Sequence, residues 1–135
     1  MNITVILLES HSGIRWLIVL AAIAAIVFFG YNWLAKKTNQ KPARILTAAY
    51  SGLLDLQVLL GFVFMIYTGL NGAGFPRFRL EHMFMMVVAA VVAHLPSRSL
   101  KAEKENAYRN TLFAIIGSLL LIYVGVALLP GGWDR

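Results

Sequence analysis

Three histidines carry most of the chemical capability of this sequence: His11, His82 and His94. There is no cysteine, which excludes disulfides, thiolate metal sites and thiol nucleophiles. His11 stands in "ESHSGIRW" beside Glu9, Arg15 and Trp16, at the head of a long apolar run. His82 ends "RFRLEH", with Arg77, Arg79 and Glu81 close by in sequence. His94 comes twelve residues after His82, about 18 Å further along a helix, too far to share a small ligand with it. Two neutral imidazoles facing each other across a gap form the axial ligand set of a b-type haem, which needs no covalent attachment. His11 and His82 suit that role if their segments meet. Arg15, Arg77 and Arg79 would then pair with the propionates. Glu9 or Glu81 would accept a hydrogen bond from the outer nitrogen of an imidazole. Gly13 and Gly61 would leave room for a flat ring. The same histidines also suit plain residence at headgroup level. A mononuclear zinc or copper site lacks a third ligand.

Asp55 is the other anomaly. It lies about ten residues into an apolar segment, where an ionisable group marks a functional site by default. No Lys or Arg lies at matching depth. The expected partners are therefore Tyr50, Ser51, Ser118 or Tyr123, or the carboxyl is protonated. Its role is either a proton or quinone contact or a hydrogen bond that packs helices. Gln57 and Gly61 share one face of the same helix, being four residues apart. A buried Gln there serves as interhelical glue. Met83, Met85 and Met86 near His82 read as packing. His94, beside "LPSR", snorkels to the headgroups.

The elements that position these residues follow from composition. The chain has 135 residues, 59% hydrophobic and 13% charged, with mean hydropathy +0.73. A soluble domain carries about twice that charge, so the chain belongs among integral membrane proteins. Its length suits one domain of a few spanning helices of about 20 residues each. Four apolar stretches appear, at about 14–34, 45–70, 80–95 and 111–129, separated by "AKKTNQKPAR", "NGAGFPRFR" and "SRSLKAEKENAYR". Helices are required, because lipid-exposed backbone must satisfy its own hydrogen bonds. Barrel-type alternation is absent. The fold class expected is all-α, an up-down four-helix membrane bundle. There is no internal repeat. The N-terminal residues lack the basic start of a secretory signal, so the chain is expected to begin in its mature form.

Orientation comes from the connections. Lys36, Lys37, Lys41, Arg44, Arg98, Lys101, Lys104 and Arg109 fall on one side, and Arg15, Arg77, Arg79 and Arg135 on the other. The positive-inside rule puts the first group in the cytoplasm and both termini outside. His11 and His82 then share the outer level, and His94 lies at the inner one. Trp16, Trp33, Trp133, Tyr31, Tyr108 and Phe75 fall at the expected interfaces as aromatic belts. The net charge of +6 sits in loops. It points to anionic lipid headgroups and topology, not to nucleic acid.

"HSGIRW", "LQVLLGFVFMIYTG" and "RFRLEHMFMMVVAAVVAHL" resemble segments of small bacterial four-helix, cytochrome b-like membrane proteins, and they are similar to one half of haem A synthase. The matching positions are Glu9 and His11, then Gln57, Leu60 and Gly61, then Arg79 and His82. The resemblance implies a four-helix bundle with a haem site near the outer face. It covers about two-thirds of the chain. The chain departs from the synthase in being a single bundle and in lacking a histidine at the start of its fourth helix, so synthase activity is not implied. Asp55 stands where the small cytochrome-like proteins would carry another histidine, which argues against a second haem.

The resulting expectation is a b-type cytochrome or haem b-binding subunit, multi-pass in the bacterial inner membrane. It would transfer electrons in or beside a larger redox complex, or as a homo-oligomer, near quinone. Its site residues would be His11, His82, Arg15, Arg77, Arg79, Gly61 and Gln57, with Asp55 as the proton or quinone contact. The alternative is a cofactor-free accessory subunit of a respiratory or photosynthetic complex. A proton-coupled carrier centred on Asp55 lacks the paired charges of an alternating pathway.

Overall fold

The computed structural model describes residues 2–134. Five α-helices follow in order: α1 (Ile3–Leu34), α2 (Gln40–Thr68), α3 (Arg77–His94), α4 (Pro96–Lys101) and α5 (Ala107–Ala127). A π-helical turn at Gly69–Ala73 extends α2, and a 3-10 turn at Gly132–Asp134 follows α5. No strand occurs among the described residues. Four helical stretches are long and apolar enough to cross a membrane: Ile3–Leu34, Gln40–Ala73, Arg77–Lys101 and Ala107–Ala127. The chain is an all-helical, multi-pass membrane protein. Arg135, counted above with the outer charges, lies outside the described residues.

The first helix starts well before the apolar run at 14–34. Asn2 caps it by accepting a hydrogen bond from the Thr4 N–H at 3.0 Å, and no proline interrupts residues 3–13. "ESHSGIRW" is therefore helical throughout, which gives His11 a fixed azimuth on α1.

α1 packs against α2 and α5, and α3 packs against the same two helices. The ring order is α1–α2–α3–α5, with α1 and α3 on the diagonal. The two halves of this bundle differ. In the half nearer the basic loops, a solid core joins Ile18, Ala22, Ala25 and Phe29 of α1 to Tyr50 and Leu54 of α2. Ala89 and Ala93 of α3 and Leu112 and Ile115 of α5 complete it. The alanines on the diagonal helices permit the close approach that membrane helices need. The Tyr50 hydroxyl donates to Ser118 Oγ at 2.9 Å, and Ser118 Oγ donates to the Ala89 carbonyl at 3.0 Å. This chain ties α2, α5 and α3 at a point with no solvent exposure.

At the basic end, Tyr108 packs on Phe28 and Phe29, and its hydroxyl accepts from the Asn39 N–H at 2.7 Å. Tyr108 is thus buried, 7% exposed, and is no part of an aromatic belt. The outward surface is apolar, with Leu20, Val27, Phe84 and Leu120 all exposed, as lipid as solvent requires. At the end that carries both termini, Gly72 and Gly74 take φ of 116° and 69° in the α2–α3 turn. Arg79 braces that turn, donating to the Gly74 carbonyl at 3.1 Å and to Thr68 Oγ1 at 2.6 Å.

The Ser118 junction is testable. Ser118→Ala strands the Tyr50 hydroxyl and removes the tie to α3, at a cost of about 1–3 kcal/mol. Thr111→Val removes a buried hydroxyl that bonds only to Ala107 of its own helix and costs less. Denaturant titration of both variants in mixed micelles measures the difference.

Candidate functional site

Above the packed half, the bundle opens into a cavity of about 1150 Å³, slightly larger than the roughly 300–1,000 Å³ of small-molecule sites. α1 contributes Glu9, His11, Gly13 and Arg15 to its lining, α2 contributes Gln57, Gly61 and Phe64, and α3 contributes Arg79, His82, Met83 and Met86. Tyr123 of α5 and Trp133 beyond it close the remaining side. Of the expected residues, His11, His82, Arg15, Arg79, Gly61 and Gln57 come together here. Arg77 does not. Its side chain is 91% exposed and pairs with Glu81 at 2.6 Å, one turn along the same helix face. Arg77 and Arg79 are two residues apart, so they point to different sides of α3.

The two histidines are held differently. His82 Nδ1 lies 2.8 Å from the Gly125 carbonyl oxygen. A carbonyl only accepts, so Nδ1 donates and the neutral ring carries its lone pair on Nε2. The partner expected from Glu9 or Glu81 is thus a backbone oxygen of α5, while Glu81 is committed to Arg77. Gly125 makes room for the methionines of α3 rather than for His82, since a Cβ there would stay 3.8 Å from His82 Nδ1, an ordinary contact. A Cβ there would collide with Met86 and lie 3.1 Å from Met85 Cβ.

His11 faces α2. A Cβ on Gly61 would lie 3.1 Å from His11 Cε1 and 3.6 Å from Nδ1. Gly61 therefore makes room for the imidazole itself. Gln57, one turn away, donates from Nε2 to the His11 carbonyl at 2.7 Å. His11 Nδ1 and Gln57 Oε1 are both buried without a hydrogen-bond partner. They are complementary, a ring nitrogen able to donate and an amide oxygen able to accept, on residues already joined through the His11 carbonyl.

Two cations sit at the cavity wall. The Arg15 guanidinium lies 5.0 Å from the Trp16 ring centre, and that of Arg79 lies 5.7 Å from the Phe64 ring centre. Trp133 stacks on Tyr123 with centroids 5.8 Å apart and donates to the Tyr123 carbonyl at 3.2 Å. The cavity thus offers two imidazoles, two guanidiniums and apolar walls. Among the described residues, no three His, Cys, Asp or Glu side chains gather as a metal cluster.

Asp55 departs from expectation. It meets none of Tyr50, Ser51, Ser118 or Tyr123, and faces outward. Both carboxylate oxygens lie 2.8–2.9 Å from His94 Nε2, so His94 is held in a pair and does not reach freely to the headgroups. The Gly125 carbonyl, which meets His82 Nδ1, is the contact least visible in the sequence. The only mark at that position is a small residue on the fourth apolar stretch. Comparison of the chain with protein-family models, curated proteins and solved structures gave no match.

The His82 contact sets a tautomer that can be read directly. In protein labelled with ¹⁵N-histidine, above the pH at which the imidazoles carry a second proton, His82 is expected to be protonated at Nδ1 and bare at Nε2. Solid-state NMR in bilayers reports this from the nitrogen shifts, and an Nε2–H form contradicts the geometry.

Proposed function

We propose that this protein is a small b-type cytochrome, a haem-binding subunit that carries electrons in or beside a larger membrane redox complex. The observation that carries this reading is the cavity with an imidazole from each of two diagonal helices. One of those rings is anchored through Nδ1 on a backbone carbonyl. That outer hydrogen bond fixes ring orientation and raises the basicity of the ligating nitrogen. The residues fit the group: His11 and His82 would hold the iron, and Arg15 and Arg79 would pair with the propionates. Haem, when bound, supplies a one-electron ferric–ferrous couple whose potential is set by ligands and burial. The chain's own part would be to present two neutral imidazoles to the cavity, to exclude water with Phe64, Met83 and Met86, and to neutralise carboxylates at the rim.

The asymmetry of Lys and Arg supports an orientation with both termini outside the cytoplasm, in a bacterial inner membrane. The site would then open toward the outer face. A second reading, a cofactor-free accessory subunit, is favoured by Gly52 and Gly117, which have open space where a Cβ would stand. A neighbouring helix could approach closely at either position.

An absorption spectrum of the purified protein, with pyridine haemochrome analysis, tests the proposal. The expected result is one haem b per chain. His11→Ala and His82→Ala each weaken haem retention by at least tenfold. Arg15→Gln weakens it by about tenfold, the worth of one charge-assisted pair, and Arg77→Ala leaves it unchanged. A folded protein with no Soret band after haem supplementation overturns the proposal. Co-migration of that haem-free protein with a larger complex on native gels would favour the accessory-subunit reading.

A further inference from the structure

The Asp55–His94 pair belongs to neither the core nor the haem cavity. It lies on the outer face between α2 and α3, with the two side chains 51% and 50% exposed. Its environment is a groove of about 620 Å³. Val58, Val87 and Val91 form apolar walls, and Arg98 stands at the rim. Arg98 is one helical turn beyond His94, about 6 Å, so the pair lies inside the level that Arg98 marks. A polar pair turned to lipid at this depth is costly. The pair ties α2 to α3, yet both side chains stay half exposed in the groove, so they can also meet a ligand there.

The groove opens sideways to the bilayer, so its ligand arrives through lipid. Its walls select an apolar body. Its floor offers a carboxylate that accepts and an imidazole whose second nitrogen, Nδ1, has no protein partner among the described residues. A phosphate headgroup fits poorly, because Asp55 repels it and offsets the charge of Arg98. A hydroquinone fits: its hydroxyl donates to Asp55 or to the bare Nδ1 of a neutral His94 whose Nε2–H is given to Asp55, and the carbonyl of the oxidised form accepts from Nδ1–H when both ring nitrogens carry protons. Its isoprenoid tail remains in the hydrocarbon.

We propose that the groove between α2 and α3 binds the head group of a lipid-soluble quinone or its quinol through Asp55 and His94. This site is separate from the haem cavity and is occupied whether or not haem is bound.

Photoaffinity labelling tests it, using an azido-benzoquinone with a decyl tail on the full chain in nanodiscs, with and without haem. The expected result is saturable labelling at residues 55–58 and 87–94, displaced by excess decyl-benzoquinone. Asp55→Asn and His94→Gln each lower the apparent affinity at least tenfold. Leu20→Ala, on the lipid face of α1, does not change it. Val91→Trp fills the groove while keeping Asp55 and His94 in the sequence, and abolishes labelling, which keeps the test decisive if a pair variant unfolds. Labelling that is spread over all lipid-facing helices, or insensitive to these variants, overturns the proposal. So does labelling displaced by phosphatidylglycerol and not by quinone, which would make the groove an anionic-lipid site.

Discussion

The hydroxyl of Ser118 is the constraint on which the rest of the bundle depends. It accepts from Tyr50 and donates to the Ala89 carbonyl, joining three helices at one buried point. Lipid supplies no hydrophobic force between helices, so close packing and hydrogen bonds must hold them. On the basic side of this point, alanines and Phe29 fill the diagonal between α1 and α3. On the other side the diagonal is not filled by core side chains. Gly61 stands at the wall on α2, the His11 imidazole occupies the space it frees, and a cavity follows. A bundle packed along its whole length would have no site, and one open along its whole length would have no stability.

Within the cavity the two histidines divide the work. His82 is oriented by a bond to a backbone carbonyl of a neighbouring helix, so its geometry is as rigid as α5. His11 is oriented by shape, set against Gly61, with Gln57 holding its backbone. His82 thus has a satisfied outer nitrogen, whereas His11 Nδ1 and Gln57 Oε1 have no hydrogen-bond partner among the described residues. The α2–α3 turn sets the depth of His82, because Arg79 ties that turn to Thr68 while also lining the cavity.

Much of this was legible in the sequence. Four apolar runs and their Gly/Pro breakers marked the helices, and charge counts put His11 and His82 at one end. Helix azimuth was not legible. Nothing in "RFRLEH" says that Arg79 turns inward while Arg77 turns out, because the choice depends on how α3 rotates against α2 and α5. The azimuth of α2 likewise turns Asp55 outward to His94, a residue whose position beside "LPSR" points to the headgroups. The Gly125 carbonyl was hidden for another reason. Backbone acceptors have no residue signature, because every residue carries a carbonyl. The early start of α1 was missed because polar residues at 9–12 interrupt the apolar pattern without breaking a helix.

The most direct test of the central claim is to count the imidazoles on one iron. Pulsed electron–nuclear double resonance on the ferric, haem-loaded protein, prepared with ¹⁵N-histidine, resolves ligating nitrogens individually. The account predicts a low-spin centre with two histidine ¹⁵N couplings, one from each of α1 and α3. A high-spin centre, or a single histidine coupling in the native protein, would contradict it.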